Sequence, residues 1–298
     1  MENRINEKTI IAKKYKIISK LGEGKFGLVF KSINIDSNEI VAIKTEELKT
    51  PYKLLKNETK ILKYLYDQGC RCIPMIYWYG ICLDKTCLVF SCFSFSLHDY
   101  IESKEKIDIK LISNIMKSCI EVLESIHKHY VLHRDIKPQN FMYRDGEIYL
   151  IDFGLATFYI DENGKHIENK KNHNEIIGST RYASYNIHCG DTYSRRDDMI
   201  SLGYMYIWMV LEYLPWDINV EIQIPDANAS VNVNASYLEN HLLHRKNVFK
   251  KEKKSWESLE KLFMEKNMKN TNIYRYLDYC YRLDFECSPI HGLLENIF

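Results

Sequence analysis

An eight-residue stretch, His133-Arg134-Asp135-Ile136-Lys137-Pro138-Gln139-Asn140, restricts the fold of this chain more than any other. It follows a long amphipathic run, Leu111 to Tyr130. It precedes a short strand pattern, Ile148 to Ile151, which leads straight into Asp152-Phe153-Gly154. One loop therefore carries an acid, a lysine and an amide, and a second acid arrives one hairpin later. Phosphoryl transfer calls for this set: a group that orients a hydroxyl, a cation beside the moving phosphate, and oxygen ligands for magnesium.

The 298 residues suffice for two lobes around a substantial core. With 46% hydrophobic and 27% charged residues, the balance is that of an ordinary soluble globular protein. A net charge of +1 argues neither for nor against a particular partner and only removes a strong whole-molecule attraction for nucleic acid or membrane; neither is expected as a partner. The cysteines are scattered, and the one close pair, Cys70-Arg71-Cys72, lacks the paired spacing of a zinc site. Met1 to Lys14 is polar and reads as a short leader, not a secretory start. Reduced thiols in an intracellular protein, cytoplasmic or nuclear, are expected. Met199 to Leu211 is too short to span a bilayer and reads as a buried helix. The sequon-like Asn228-Ala229-Ser230 and Asn234-Ala235-Ser236 read as loop residues.

Along the chain, Tyr15 to Lys20 alternates as a strand. Leu21-Gly22-Glu23-Gly24-Lys25-Phe26-Gly27-Leu28-Val29-Phe30 then reads as strand, glycine turn, strand. A helix after the glycines would suggest a dinucleotide fold; the β-type run after Gly27 makes them a hairpin instead. Ile40-Val41-Ala42-Ile43-Lys44 forms the third strand, after a turn at Asp36-Ser37-Asn38. Leu54 to Tyr66 has helical periodicity and places Glu58 on or beside its apolar stripe. An acid on that side needs a partner, and Lys44 is the candidate. Further strands are expected near Ile73–Tyr79 and Thr86–Phe90, then a connector, Ser91-Cys92-Phe93-Ser94, and a helix capped by Ser96. Asp99 reads equally as a first-turn acid favoured by the helix dipole. Asp161 to Asn174 reads as an exposed loop, Ser194 to Asp198 as the lead-in to the helix from Met199, and 217–240 as loop. The run Lys250-Lys251-Glu252-Lys253-Lys254 reads best as a solvated helix face, with a docking patch or nuclear signal as the sharper alternatives.

Taken in order, the glycine loop, Val-Ala-Ile-Lys, a helix glutamate, His-Arg-Asp-x-Lys-x-x-Asn and Asp-Phe-Gly resemble a eukaryotic-type protein kinase over almost the whole chain. Within kinases the sequence looks most like the casein kinase 1 group. Gly178-Ser179-Thr180-Arg181-Tyr182-Ala183-Ser184-Tyr185-Asn186-Ile187-His188 stands where other kinases carry Ala-Pro-Glu, and Ser194-Arg195-Arg196-Asp197-Asp198 and Leu214-Pro215-Trp216 also fit that group. The departures are Gln139 in the central loop, Ser91 in the connector, and no lysine near position 174.

The resemblance implies an α+β, bilobal fold, with a β-rich N-lobe over 15–91 and a helical C-lobe over 92–298. It implies transfer of the ATP γ-phosphate to Ser or Thr hydroxyls of protein substrates, with ATP and Mg2+ bound and the protein acting as a monomer. Asp135 would orient the hydroxyl, Lys137 would stabilise the moving phosphate, and Asn140 and Asp152 would hold magnesium. Lys44, held by Glu58, would bind the α- and β-phosphates. Leu21, Gly22, Glu23, Gly24, Lys25, Phe26, Gly27, Val29, Ala42, Cys92 and Asp99 would surround the nucleotide, Asp99 near its ribose. Asp198 would brace the His133-Arg134 backbone. Arg181 would belong to a substrate anion site whose companion lysine is missing, so a preference for acidic or primed substrates is left open. The competing classes are a pseudokinase scaffold, which usually breaks the lysine or one of the two aspartates, and a small-molecule kinase, which would not need the Gly178–His188 segment. Neither break is present.

Overall fold

The computed structural model describes residues 5–6, 8–24, 27–105, 107–171, 176–217 and 235–298, with backbone alone over 235–242. The chain is α+β, β-rich toward its N-terminus and helical toward its C-terminus. It divides into two compact units. The first comprises Met1–Lys106, Lys117–His133 and Pro138–Tyr159; the second comprises Ile107–Met116, Arg134–Lys137 and Ile160–Phe298.

The first unit begins with strands β1 (Ile10–Ile11), β2 (Tyr15–Gly24), β3 (Gly27–Asn34) and β4 (Ile40–Glu47), then helix α1 (Leu54–Asp67), then β5 (Ile76–Cys82) and β6 (Lys85–Ser91). These strands form an antiparallel sheet in the order β1-β2-β3-β4-β6-β5. Tyr15 and Ile17, Val41 and Ile43, and Cys87 and Val89 alternate onto one face and make a core with Ile5, Ile11 and Phe30. The leader read as polar thus contributes two core side chains and an edge strand. The opposite parity puts Ala42, Lys44 and Leu88 on the other face of β4 and β6. Pro74 has no N–H to give a ladder, and regular pairing starts only at Ile76, three residues later than the apolar run suggests.

Next come β7 (Phe95–Ser96), helix α2 (Leu97–Glu102), helix α3 (Ile109–Lys128), β8 (Val131–Leu132), β9 (Phe141–Arg144), β10 (Glu147–Leu150) and β11 (Thr157–Phe158). Strands β10, β9 and β7 form a small antiparallel sheet, and β11 pairs with β8. The amphipathic pattern of α3 is matched by complete burial of Met116, Cys119, Ile120, Leu123 and Ile126.

In the second unit, α4 (Tyr185–His188) precedes α5 (Arg195–Leu211), α6 (Ala235–Lys253), α7 (Trp256–Glu265), α8 (Asn272–Tyr281) and α9 (His291–Glu295). Residues 218–234, read as loop, lie outside the described residues, while the last of that reading, 235–240, is already helix. Helix α5 starts at Arg195, because Asp197 accepts the Ser194 amide at 2.8 Å and fixes the first turn. It ends at Leu211 with Glu212 left-handed (φ 65°), ahead of Pro215. Among the described residues, no helix is long and apolar enough to cross a membrane.

Candidate active site

Lys44 is the centre of the first unit's polar cluster. Its Nζ lies 2.7 Å from Glu58 Oε2 and 2.7 Å from Asp152 Oδ1. The β register sets its direction, and the α1 stripe of Leu55, Glu58, Ile61, Leu62 and Leu65 sets that of Glu58. Burial by itself would lower the lysine pKa, but the two carboxylates outweigh it and raise it, so the ammonium form is held. The Lys44–Glu58 pairing expected from the sequence is therefore present, with Asp152 as a second partner.

Two further side chains support this cluster and were not singled out by motif. Lys53, the residue before α1, provides no side-chain cap. Glu46 Oε1 takes that role, accepting the amides of Leu54 at 3.0 Å and Leu55 at 3.4 Å. Asn57, one residue before Glu58, donates its Nδ2 to the carbonyls of Gly154 (3.0 Å) and Ala156 (2.9 Å). The helix is thereby tied to the segment that follows Asp152. An amphipathic acid on a strand and an asparagine on a helix are too common to be recognised from spacing alone.

Asp152 itself has φ 65°, a left-handed conformation that costs energy in a non-glycine residue. It follows Ile151, whose amide donates to the Asn140 carbonyl at 2.9 Å and whose carbonyl meets His133 Nε2 at 2.9 Å. Asn140 and Asp152 are thus anchored through one backbone neighbour. His133 is fully buried and stands edge-on to Phe153, with ring centroids 4.9 Å apart.

The glycine hairpin is present: Gly24 pairs with Gly27, and Lys25 and Phe26 fall outside the described residues. Gly27 has φ 149°, and a Cβ there would lie 1.8 Å from the Thr45 carbonyl oxygen, so this glycine is required by the sheet itself. A Cβ at Gly22 or Gly24 would meet no atom of the described residues within 4 Å. Among the described residues, packing therefore gives no reason for glycine at those two positions. Glu23 is exposed and paired with Lys20 at 2.5 Å. Val29 lies between Gly22 and Lys44 in the ladder, and Ala42 is buried on the Lys44 face.

Leu21 and Cys92 line one open cavity of about 510 Å³, together with Lys31, Phe93, Ser94 and Arg144. Asp99 does not extend freely. Its Oδ2 accepts the Ser96 amide (3.0 Å) and hydroxyl (2.7 Å), forming with Ser96 the reciprocal cap of α2. These bonds lower its pKa. Asp99 is thus the first-turn acid of α2 and also part of its cap, with only its second carboxylate oxygen outside the cap.

In the second unit Asp135 is buried, with Oδ1 accepting the Ser179 amide at 2.8 Å and Oδ2 paired with Lys137 Nζ at 2.5 Å. Gly178 makes this approach possible. It has φ +84°, and a Cβ there would lie 2.4 Å from the Arg134 carbonyl and 3.2 Å from Asp135 Oδ1. Arg134 is also left-handed, φ 68°, and its amide donates to Asp198 Oδ1 at 2.9 Å, the brace expected from the sequence. The Arg134 guanidinium lies over the Tyr193 ring at 5.9 Å.

The segment after Gly178 is fixed from two sides. Asp197, fully buried, accepts from Ser184 Oγ (2.5 Å) and Asn186 Nδ2 (3.1 Å). Lys254, also fully buried, donates from Nζ to the carbonyls of Thr180 (3.0 Å) and Ala183 (2.6 Å) and lies 3.2 Å from His188 Nε2. The rings of Tyr204 and Trp216 flank it at 5.0 and 4.9 Å. The reading of residues 250–254 as a solvated face is therefore corrected at Lys254. Arg181 forms a two-pronged ion pair with Asp217, at 2.9 and 2.7 Å, and its carbonyl accepts the Trp216 indole N–H.

The structure thus brings together Lys44, Glu58 and Asp152 in one unit and Asp135, Lys137 and the Gly178–Ser179 turn in the other. Compared with protein-family models, residues 15–284 match the one described as "Protein kinase domain".

Proposed function

The chain belongs to the protein kinase domain family, and from that premise we propose that it is an active Ser/Thr protein kinase of casein kinase 1 type. The observation that carries this reading is the Lys44 ammonium held between Glu58 and Asp152, because the lysine and this aspartate are residues that pseudokinases tend to lose.

The residues fit the groups that the reaction requires. Among the described residues no cluster of three or more His, Cys, Asp or Glu forms a ready metal cage. Magnesium is commonly held by one or two protein oxygens plus phosphates, which is what Asp152 and Asn140 can offer. When bound, magnesium neutralises phosphate charge. Lys44, kept charged by its two carboxylates, would bind the α- and β-phosphates, Asp152 and Asn140 would hold the metal, and Glu58 keeps the lysine aimed. Gly22 and Gly24 leave room above the phosphates. Asp135 accepts the proton of the substrate hydroxyl at its carboxylate, and Lys137 donates to the transferring phosphoryl oxygens. Positioning and electrostatics account for most of the rate in such transfers.

Protein substrates would lie along the segment after Gly178. A primed phosphate would have to compete with Asp217 for Arg181, so a strict priming requirement is not part of this proposal. The test is incubation with magnesium–ATP and casein followed by phosphoamino-acid analysis. Phosphoserine or phosphothreonine is expected. Nucleotide binding without any transfer would make the protein a scaffold, and phosphotyrosine alone would overturn the Ser/Thr assignment.

A further inference from the structure

Two thiols outside the site face each other where α1 ends. Cys70 Sγ and Cys72 Sγ are 3.5 Å apart, and Ser125 donates its hydroxyl to Cys70 Sγ at 3.2 Å. Arg71 between them is turned back, donating to the carbonyls of Tyr66 (2.8 Å) and Cys70 (3.1 Å) and lying over the Tyr66 ring. The loop is therefore fixed, and the sulfur approach does not depend on a loose tail. Cys70 is buried and Cys72 half-buried, so the pair meets solvent on the Cys72 side.

The two cysteines hold different parts of the first unit through their backbones. The Cys70 amide closes the C-terminus of α1 by donating to Leu65 O at 3.0 Å. The Cys72 carbonyl accepts the amide of Leu150 at 2.9 Å. Leu150 ends β10, two residues before Asp152, and Leu65 lies two helical turns beyond Glu58. The loop between the two thiols thus joins the element that carries Glu58 to the strand that leads to Asp152.

We propose that Cys70 and Cys72 are a peroxide-sensitive dithiol that closes to a disulfide and loosens the backbone anchor between α1 and β10. Closure requires the sulfurs to approach to about 2.05 Å, well inside their present separation, and a three-residue loop can absorb this only by shifting its own backbone. The proton between the two sulfurs can sit on either, and when it stays on Cys72 the Cys70 sulfur is the nucleophile. Bonds from Cys72 and Ser125 pull its pKa down to about 6 against the opposing effect of burial, while the Cys72 thiol is pushed up as their shared proton stays with it. The Cys70 thiolate attacks one oxygen of hydrogen peroxide and the O–O bond breaks, giving a sulfenic acid and a hydroxide that leaves as water. The Cys72 sulfur then gives up its proton, displaces the second hydroxide from Cys70, and the S–S bond forms as another water departs. The thiol pair loses two electrons and the peroxide gains them.

Trypsin supplies a direct readout, because it cuts after Arg71, between the two cysteines. After treatment of the whole protein with hydrogen peroxide, the fragments on either side of that cut are expected to stay joined until dithiothreitol is added. The Cys72→Ser variant, altered at the half-buried position, should give separate fragments. Amide exchange at Leu150 should speed up on oxidation of the wild type and remain unchanged in Cys72→Ser. On the kinase reading above, phosphotransfer should fall on the order of tenfold to a hundredfold in the oxidised wild type, as displacement of positioning groups does, and recover with dithiothreitol. Fragments that separate without reductant, or joined fragments with unaltered Leu150 exchange, would overturn the proposal. A protein inactive even when reduced would refute the kinase reading alone, since the fragment and exchange measurements need no turnover.

Discussion

A half-buried lysine and a fully buried one show opposite uses of the same side chain. Lys44 sits between two carboxylates, and those charges raise its pKa although burial opposes them. Lys254 sits among carbonyls, an imidazole and aromatic rings, and burial together with the nearby Lys250 drives its pKa well down, with Asp217 only partly offsetting this. The first arrangement keeps the lysine charged, as the proposed phosphate contact requires. The second uses N–H donors to hold main chain in place. The lesson is that charge at a site and order around a site come from different chemistry, even with the same side chain.

The largest expected effect comes from removing the available charge. Lys44→Met should lower phosphotransfer to casein by about 10²–10³-fold or more, the size of losing one preorganised electrostatic group. Thermal stability should fall as well, because the buried Glu58 carboxylate loses its cation, and differential scanning fluorimetry would measure that loss. Lys254→Met should act through the order of the main chain instead. It leaves the Thr180 and Ala183 carbonyls without their donor, a loss of about 1–3 kcal/mol in denaturant unfolding, and it should raise KM for protein substrate while leaving KM for ATP unchanged. A Met variant as stable as wild type with unchanged KM would dissolve the contrast between the two lysines.

His188 sharpens it further. Burial first, then Lys254, pulls the imidazole down to about 3, with Lys250 and Lys251 acting in the same direction and the Thr180 carbonyl opposing. A histidine in the unfolded chain titrates near 6.5, so below that pH the unfolded state binds the extra proton. The stability that the neutral ring contributes is present above about 6.5 and is lost as pH falls toward 3, with a slope of about 1.4 kcal/mol per pH unit. Urea midpoints measured from pH 7 to pH 4 should show this slope, and His188→Gln should reduce it. The smallest effect belongs to Glu46. Removing the acceptor for two α1 amides in Glu46→Ala should cost about 1 kcal/mol. Phosphotransfer should fall modestly, through loosening of the helix that carries Glu58.

The same contrast explains what could be read from the residues alone. Glu58 was legible because helical periodicity put an acid on the stripe of Leu55, Ile61, Leu62 and Leu65, and a buried acid demands a cation. Asp198 was legible from its place at the start of an apolar helix. Lys254 was not, because its run of like charges looks solvated and the rings that cover it, Tyr204 and Trp216, lie far away in sequence. The cap that Glu46 gives α1 and the Asn57 bonds to Gly154 and Ala156 were hidden for a related reason. Each depends on which residues two separate elements bring face to face. The N-terminal leader was underestimated since Ile5 stands alone among polar residues and Ile10-Ile11-Ala12 is too short to carry a periodic signal, yet Ile5 and Ile11 complete a core.

The most direct measurement of the central claim, that the Lys44–Glu58–Asp152 cluster serves phosphoryl transfer, is phosphate incorporation into casein by purified Asp152→Asn protein beside wild type at equal magnesium–ATP. The substitution keeps the shape of the side chain and removes the charge. The account predicts incorporation by the wild type and essentially none by the variant, with both proteins folded by circular dichroism. Full activity in the folded Asp152→Asn protein would contradict it.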